Sequence, residues 1–61
     1  MKRADLIRHL EKRGCIFIRE GGNHTIYKNP FNGRMTAVPR HREVKEFLDK
    51  KICDDLGIQR P

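Results

Sequence analysis

The chain has 61 residues, and 14 Lys and Arg against 8 Asp and Glu give it a formal charge of +6. A chain this short makes one domain and buries only about 60% of the surface its unfolded form exposes. A deep, enclosed active site is therefore excluded, any chemistry sits on a surface or in a shallow groove, and the charge favours an anionic partner.

Residues 3 to 13 have the pattern of a helix. Leu6, Ile7 and Leu10 form one apolar stripe, extended by Ala4, and Lys2, Asp5, Arg8, His9, Lys12 and Arg13 fill the wet side. Gly14 stands where a left-handed residue would end it. The run Cys15-Ile16-Phe17-Ile18-Arg19-Glu20 is β-branched and aromatic, hence a strand, and its four leading apolar residues predict cover on both faces at its start. Gly21, Gly22 and Asn23 are turn residues, because glycine reaches positive φ without steric cost and Asn tolerates it.

A second strand follows from His24 to Asn29. His24, Ile26 and Lys28 share one face and Thr25, Tyr27 and Asn29 the other; Ile26 is expected in the core, with His24 at the rim of its face. Asn29-Pro30-Phe31-Asn32-Gly33 is a second turn, and Arg34 to Val38 a third strand that Pro39 stops. Arg40-His41-Arg42 is a basic connection. Residues 43 to 56 read as the second helix, with Val44, Phe47, Leu48, Ile52 and Leu56 on its apolar stripe and Cys53 at the border. Gly57 closes it, with Ile58 placed for the apolar contact of such a cap.

The fold class is therefore α+β in the order α-β-β-β-α. It is a three-stranded antiparallel meander with both helices on one face, of the double-stranded-RNA-binding type. That likeness leans toward RNA, although fold does not fix function. Charge placement agrees with this. Lys28, Arg34, Arg40 and Arg42 fall among the strands and their loops, while Glu43, Glu46, Asp49, Asp54 and Asp55 lie in the last helix.

Other classes are less well served. Cys15 and Cys53 are too few for a disulfide framework, and their apolar contexts read as buried free thiols in a reducing cytosol. No apolar run follows Met1-Lys2-Arg3, so no leader is expected, and no stretch approaches a membrane span. No segment joins a basic face to bulky apolar anchors, which argues against membrane contact. His9, His24, His41 and the cysteines lack metal-ligand spacing, and no carboxylate cluster marks a two-metal site, so neither metal nor cofactor is expected.

Four blocks carry a resemblance. Arg3-Ala4-Asp5-Leu6-Ile7 with Leu10 to Cys15, then Gly22 to Tyr27, Ala37 to His41, and Ile52 to Ile58 resemble the HicA (YcfA-like) family, in the right order over nearly the whole chain. The resemblance implies a toxin of a toxin–antitoxin pair, an mRNA interferase neutralised by a HicB-type antitoxin. It implies a single catalytic histidine in the Gly-x-His block, here His24. The second His of many members is Thr25 in this chain, which removes a possible helper.

One histidine is enough for RNA cleavage, because RNA supplies its own 2′-hydroxyl nucleophile. Lys28, Arg34 and Arg40 are cations of the right type to steady phosphorane charge. Tyr27 is open between stacking on an unpaired base and a place in the core. His41 is open between a general acid, a phosphate contact and a loop residue near a partner. The rival readings are a non-catalytic RNA-binding module of the same fold, and a DNA-binding or structural subunit. No helix-turn-helix pattern is present, so DNA would be met only through the antitoxin.

Overall fold

The structure, a computed structural model describing residues 1–61, has the expected order: α1 (Arg3–Lys12), β1 (Ile16–Gly21), β2 (His24–Lys28), β3 (Met35–Pro39) and α2 (Glu46–Leu56). The strands form one antiparallel sheet in the order β1-β2-β3. The core is Leu6 and Leu10 of α1, Cys15, Tyr27 of β2, Val38 of β3, Val44, and Ile52, Cys53 and Leu56 of α2. Both helices thus cover one face of the sheet and leave the other open.

Alternation along β2 is inverted from the expectation. Thr25, Tyr27 and Asn29 are buried, while His24 is exposed and Ile26 only half-buried. The turn at Asn29 explains the choice. Its side chain donates to the Leu56 carbonyl (2.9 Å) and accepts from the Phe31 amide (3.0 Å), tying this face of β2 to the end of α2. Two residues back, Tyr27 must then point the same way.

β1 also differs from its expectation. It is an edge strand, with Ile16, Phe17 and Ile18 all more than a third exposed, because only β2 flanks it and no helix reaches across. A bulge at Ile18 shifts the register between Phe17↔Tyr27 and Arg19↔Ile26. Phe17 still meets Tyr27 edge to face, ring centres 6.2 Å apart.

β3 begins one residue late and includes Pro39, which pairs with His24; an edge strand tolerates a residue without an N–H. Helix α2 begins at Glu46, not at residue 43. Glu43 instead makes an isolated antiparallel bridge with Lys2, and the Val44 amide donates to the Met1 carbonyl (2.8 Å). The buried face of α2 runs through Asp49, Ile52, Cys53 and Leu56, and Phe47 lies outside it, 81% exposed. Gly57 (φ 69°) closes the helix, with Ile58 N–H bonded to the Cys53 carbonyl (3.0 Å) and Gly57 N–H to Asp54 (3.1 Å). This is the paired bonding of a Schellman cap.

Two outcomes follow for stability. Leu56→Ala should cost about 2–5 kcal/mol in urea unfolding, since it opens a void among fully buried side chains, whereas Phe47→Ala should cost less than about 0.5 kcal/mol. The Cys53 thiol is pushed up to about 11, by burial first and then by Asp49 and Asp54. A thiol with a raised folded-state pKa contributes stability that is fully present below the unfolded pKa and lost as pH rises toward the folded value. Unfolding free energy should therefore fall between about pH 9 and 11, and Cys53→Ala should flatten that slope.

Candidate active site

The hairpin that carries His24 has a two-residue loop. Gly22 has φ 58° and Asn23 has negative φ, the pattern of a type II′ turn with glycine in the first central place. Gly21 is therefore not a turn residue but the last residue of β1, paired with His24. His24 opens β2 on the open face, flanked across the sheet by Gly21 on one side and Pro39 on the other. It is exposed, and its ring has no hydrogen bond to any protein group.

Across from it lies a cation that the sequence reading did not single out. Arg19 stands diagonal to His24 on the open face. A side-chain carbon at Gly21 would come within 2.9 Å of Arg19 Nη1, so the guanidinium lies over the glycine directly opposite His24. The hairpin register was the signal that could have found it, but taking Gly21 as a third turn residue removes the Gly21↔His24 pair from which that register is counted.

Behind the sheet, the same end is held by a polar chain. Arg3 Nη2 donates to Thr25 Oγ1 (2.8 Å), Arg3 Nε donates to the Pro39 carbonyl (3.0 Å), and Thr25 donates to Glu20 Oε1 (3.0 Å). Arg40 Nε sits 3.6 Å from Glu20 Oε2, and the Arg40 amide donates to the Asn23 carbonyl (3.1 Å). Thr25 is 2% exposed and faces away from His24. In this chain the position after His24 braces the site and does not face it. A buried hydroxyl needs partners, which is how Arg3 and Glu20 enter a site that the sequence reading gave to others.

The remaining expected residues are scattered. Lys28 shares the open face with His24 but lies at the far end of β2, about 13 Å along the strand at 3.3 Å per residue. Arg34 is at that far end too; its guanidinium packs beside Gly57. There it helps hold the Asp54 and Asp55 carboxyls low, after their stronger bonds to Arg60 and Lys51. Tyr27 is 5% exposed on the opposite face, so no base can stack on it without opening the core. Arg40 is near the hairpin, and His41 lies in a groove with Pro39, Arg42, Glu43, Lys45 and Leu48. No three His, Cys, Asp or Glu side chains converge anywhere in the molecule, and no helix is long and apolar enough to cross a membrane.

Residues 3–58 match the model of the family described as HicA toxin of bacterial toxin-antitoxin. No curated protein and no solved structure matches the chain.

Removing the brace tests it. Arg3→Ala should destabilise the domain by about 1–3 kcal/mol in urea unfolding, through two lost charge-assisted bonds. Arg3→Lys should recover little, because one ammonium cannot reproduce the two-pronged fork that spans Thr25 and Pro39. A loss under about 0.5 kcal/mol in Arg3→Ala would show that the brace is ornamental.

Proposed function

The chain belongs to the HicA toxin family, matched over residues 3–58, and from that premise we propose that it is an endoribonuclease toxin that cleaves mRNA in the cytoplasm and thereby inhibits translation. The observation that carries this reading is the pairing of an exposed, unbonded imidazole, His24, with the Arg19 guanidinium lying over Gly21 directly across the sheet.

The chemistry needs little more. The RNA 2′-hydroxyl attacks the adjacent phosphorus, forming a 2′,3′-cyclic phosphate as the bond to the leaving 5′-oxygen breaks. His24 takes the 2′ proton or supplies one to the 5′-oxygen, tasks suited to an imidazole, and water at the open site carries the other transfer. Arg19 faces the phosphate and opposes the charge that grows on its non-bridging oxygens, and a planar fork suits that geometry. Arg40 pairs with Glu20 at 3.6 Å and so offsets that carboxylate at the hairpin end. The donor set supports a mechanism that uses no metal, since no carboxylates gather near His24. Lys28 and Arg34 are too far along the sheet to share in this step and at most touch RNA further on.

The partner in this reading is a HicB-type antitoxin with an acidic surface that covers the open face. That face shows Ile16 and Met35, each about half exposed, around a cationic centre, and a +6 toxin attracts an acidic protein.

Cleavage of single-stranded RNA by the purified protein with EDTA present is the test. His24→Ala should stay folded and lose activity by about 100-fold or more. The product should carry a 2′,3′-cyclic phosphate and a 5′-hydroxyl. Products with 3′-hydroxyl and 5′-phosphate, loss of cutting in EDTA, or an unchanged His24→Ala rate would each overturn the mechanism. If the protein binds RNA without cutting it, and His24→Ala binds equally, the chain is a non-catalytic RNA-binding module.

A further inference from the structure

Among the cations outside the His24 site, two neighbouring groups differ in their pairing. Those on α2 and the tail are internally matched: Lys50 pairs with Glu46 (3.5 Å), Lys51 with Asp55 (2.9 Å) and Arg60 with Asp54 (2.7 Å). Those between β3 and α2 are not. Arg42 and Lys45 are exposed, neither forms an ion pair, and with His41 they line a groove completed by Pro39, Glu43 and Leu48.

The groove starts where the His24 site ends. Pro39 is the cross-strand neighbour of His24 and also the first residue of the groove wall. Paired Cα atoms in such a ladder are about 5 Å apart. Three residues of chain from Pro39 to Arg42 reach at most about 11 Å further. Arg42 is therefore within about 16 Å of His24, and Lys45 lines the same groove as Arg42.

We propose that this groove is the track for the RNA strand beyond the cleaved phosphate, with Arg42 and Lys45 taking its backbone phosphates and His41 contacting the strand between them and His24. The proposal rests on RNA being the substrate. Its lining favours a phosphate backbone over a protein segment. Leu48 is the only large aliphatic side chain in the wall, and there is no aromatic anchor of the kind that dominates protein interfaces. Glu43 is the single carboxylate, and it projects beside the amino group of Met1 (3.8 Å), which offsets its charge. Backbone contact of this kind is insensitive to sequence and sensitive to salt.

Binding of a short fluorescein-labelled single-stranded RNA, followed by anisotropy across a salt series, tests the track. The parent is His24→Ala, so that cleavage does not intervene. Arg42→Ala/Lys45→Ala in that parent should weaken binding about tenfold at low salt and shallow the log–log salt slope by about 1.4, or 0.7 for each lost contact. Lys50→Ala/Lys51→Ala removes the same charge from α2 and should change binding by less than about twofold. Circular dichroism and urea unfolding confirm that each variant is folded.

The proposal is overturned if both double variants weaken binding alike, which would reduce the effect to net charge. It is also overturned if the groove variant binds as its parent does, leaving these cations for an acidic partner, or if the parent binds no RNA. Cleavage by the wild type is scored separately. A selective groove effect without wild-type cutting would keep the track and remove the nuclease; wild-type cutting with no groove effect would do the reverse.

Discussion

A β-strand places successive side chains on opposite faces, and the rest of this protein depends on how β2 resolves that constraint. Tyr27 and Thr25 are buried toward the helices, the latter in a hydrogen-bonded chain, so His24, Ile26 and Lys28 must face outward. In the opposite register the imidazole would be buried against α1 and the core would hold a lysine. Tyr27 fills the middle of the core, Asn29 fastens the strand to the end of α2, and Thr25 fastens its start to α1. Each of these anchors lies one residue from a side chain on the open face. The exposure of His24 thus follows from the burial of its neighbours.

The small size of the domain shapes the site in a second way. With nine residues in the core, too little apolar surface is buried to support an enclosed pocket, and the reactive group stands on an open sheet. Precision has to come from the backbone and from behind. The two-residue turn at Gly22 fixes the end of the hairpin, and Arg3 ties the start of α1 to Thr25 and to the Pro39 carbonyl. Gly21 adds a gap, since its missing side chain leaves room for the Arg19 guanidinium opposite His24. A glycine, an arginine and a threonine that look incidental in sequence set the geometry of one histidine.

Charge follows the same division of labour. Three of the four acidic residues of α2, Glu46, Asp55 and Asp54, pair with Lys50, Lys51 and Arg60, whose bonds hold Asp54 and Asp55 below the usual carboxylate range. Cations without an ion pair include Arg19 and Lys28 on the open face and Arg42 and Lys45 in the groove beyond Pro39, as well as Lys2, Lys12 and Arg13 on or next to α1. Formal charge alone does not distinguish the two sets. Ion pairing within one helix is local and inexpensive, so a helix with its own carboxylates neutralises itself and the unpaired cations elsewhere carry the attraction for an anion.

The amino-acid sequence by itself determined the element order, the turn within Gly21–Asn23 (one residue shorter in the structure, where Gly21 belongs to β1), the turn at Asn29–Gly33, the helix stop at Gly57 and the position of His24 at a hairpin, because these rest on local chemistry: periodicity, positive φ and capping. Tertiary structure alone decided which face of each element is buried. Ile26 and Phe47 are apolar and at suitable spacing, yet Tyr27 and Asp49 lie inward in their place, because burial depends on which side the neighbouring elements pack. The bulge at Ile18, the exposed β1 edge and the start of α2 at Glu46 likewise depend on partners distant in the chain, Tyr27 and Ile26 for the first and Met1 and Lys2 for the last. The company His24 keeps follows from strand pairing: Arg19 is beside it and Lys28 and Arg34 are not, because the pair Gly21↔His24 at the turn sets Arg19 opposite Ile26, while Lys28 and Arg34 fall at the far end of the sheet.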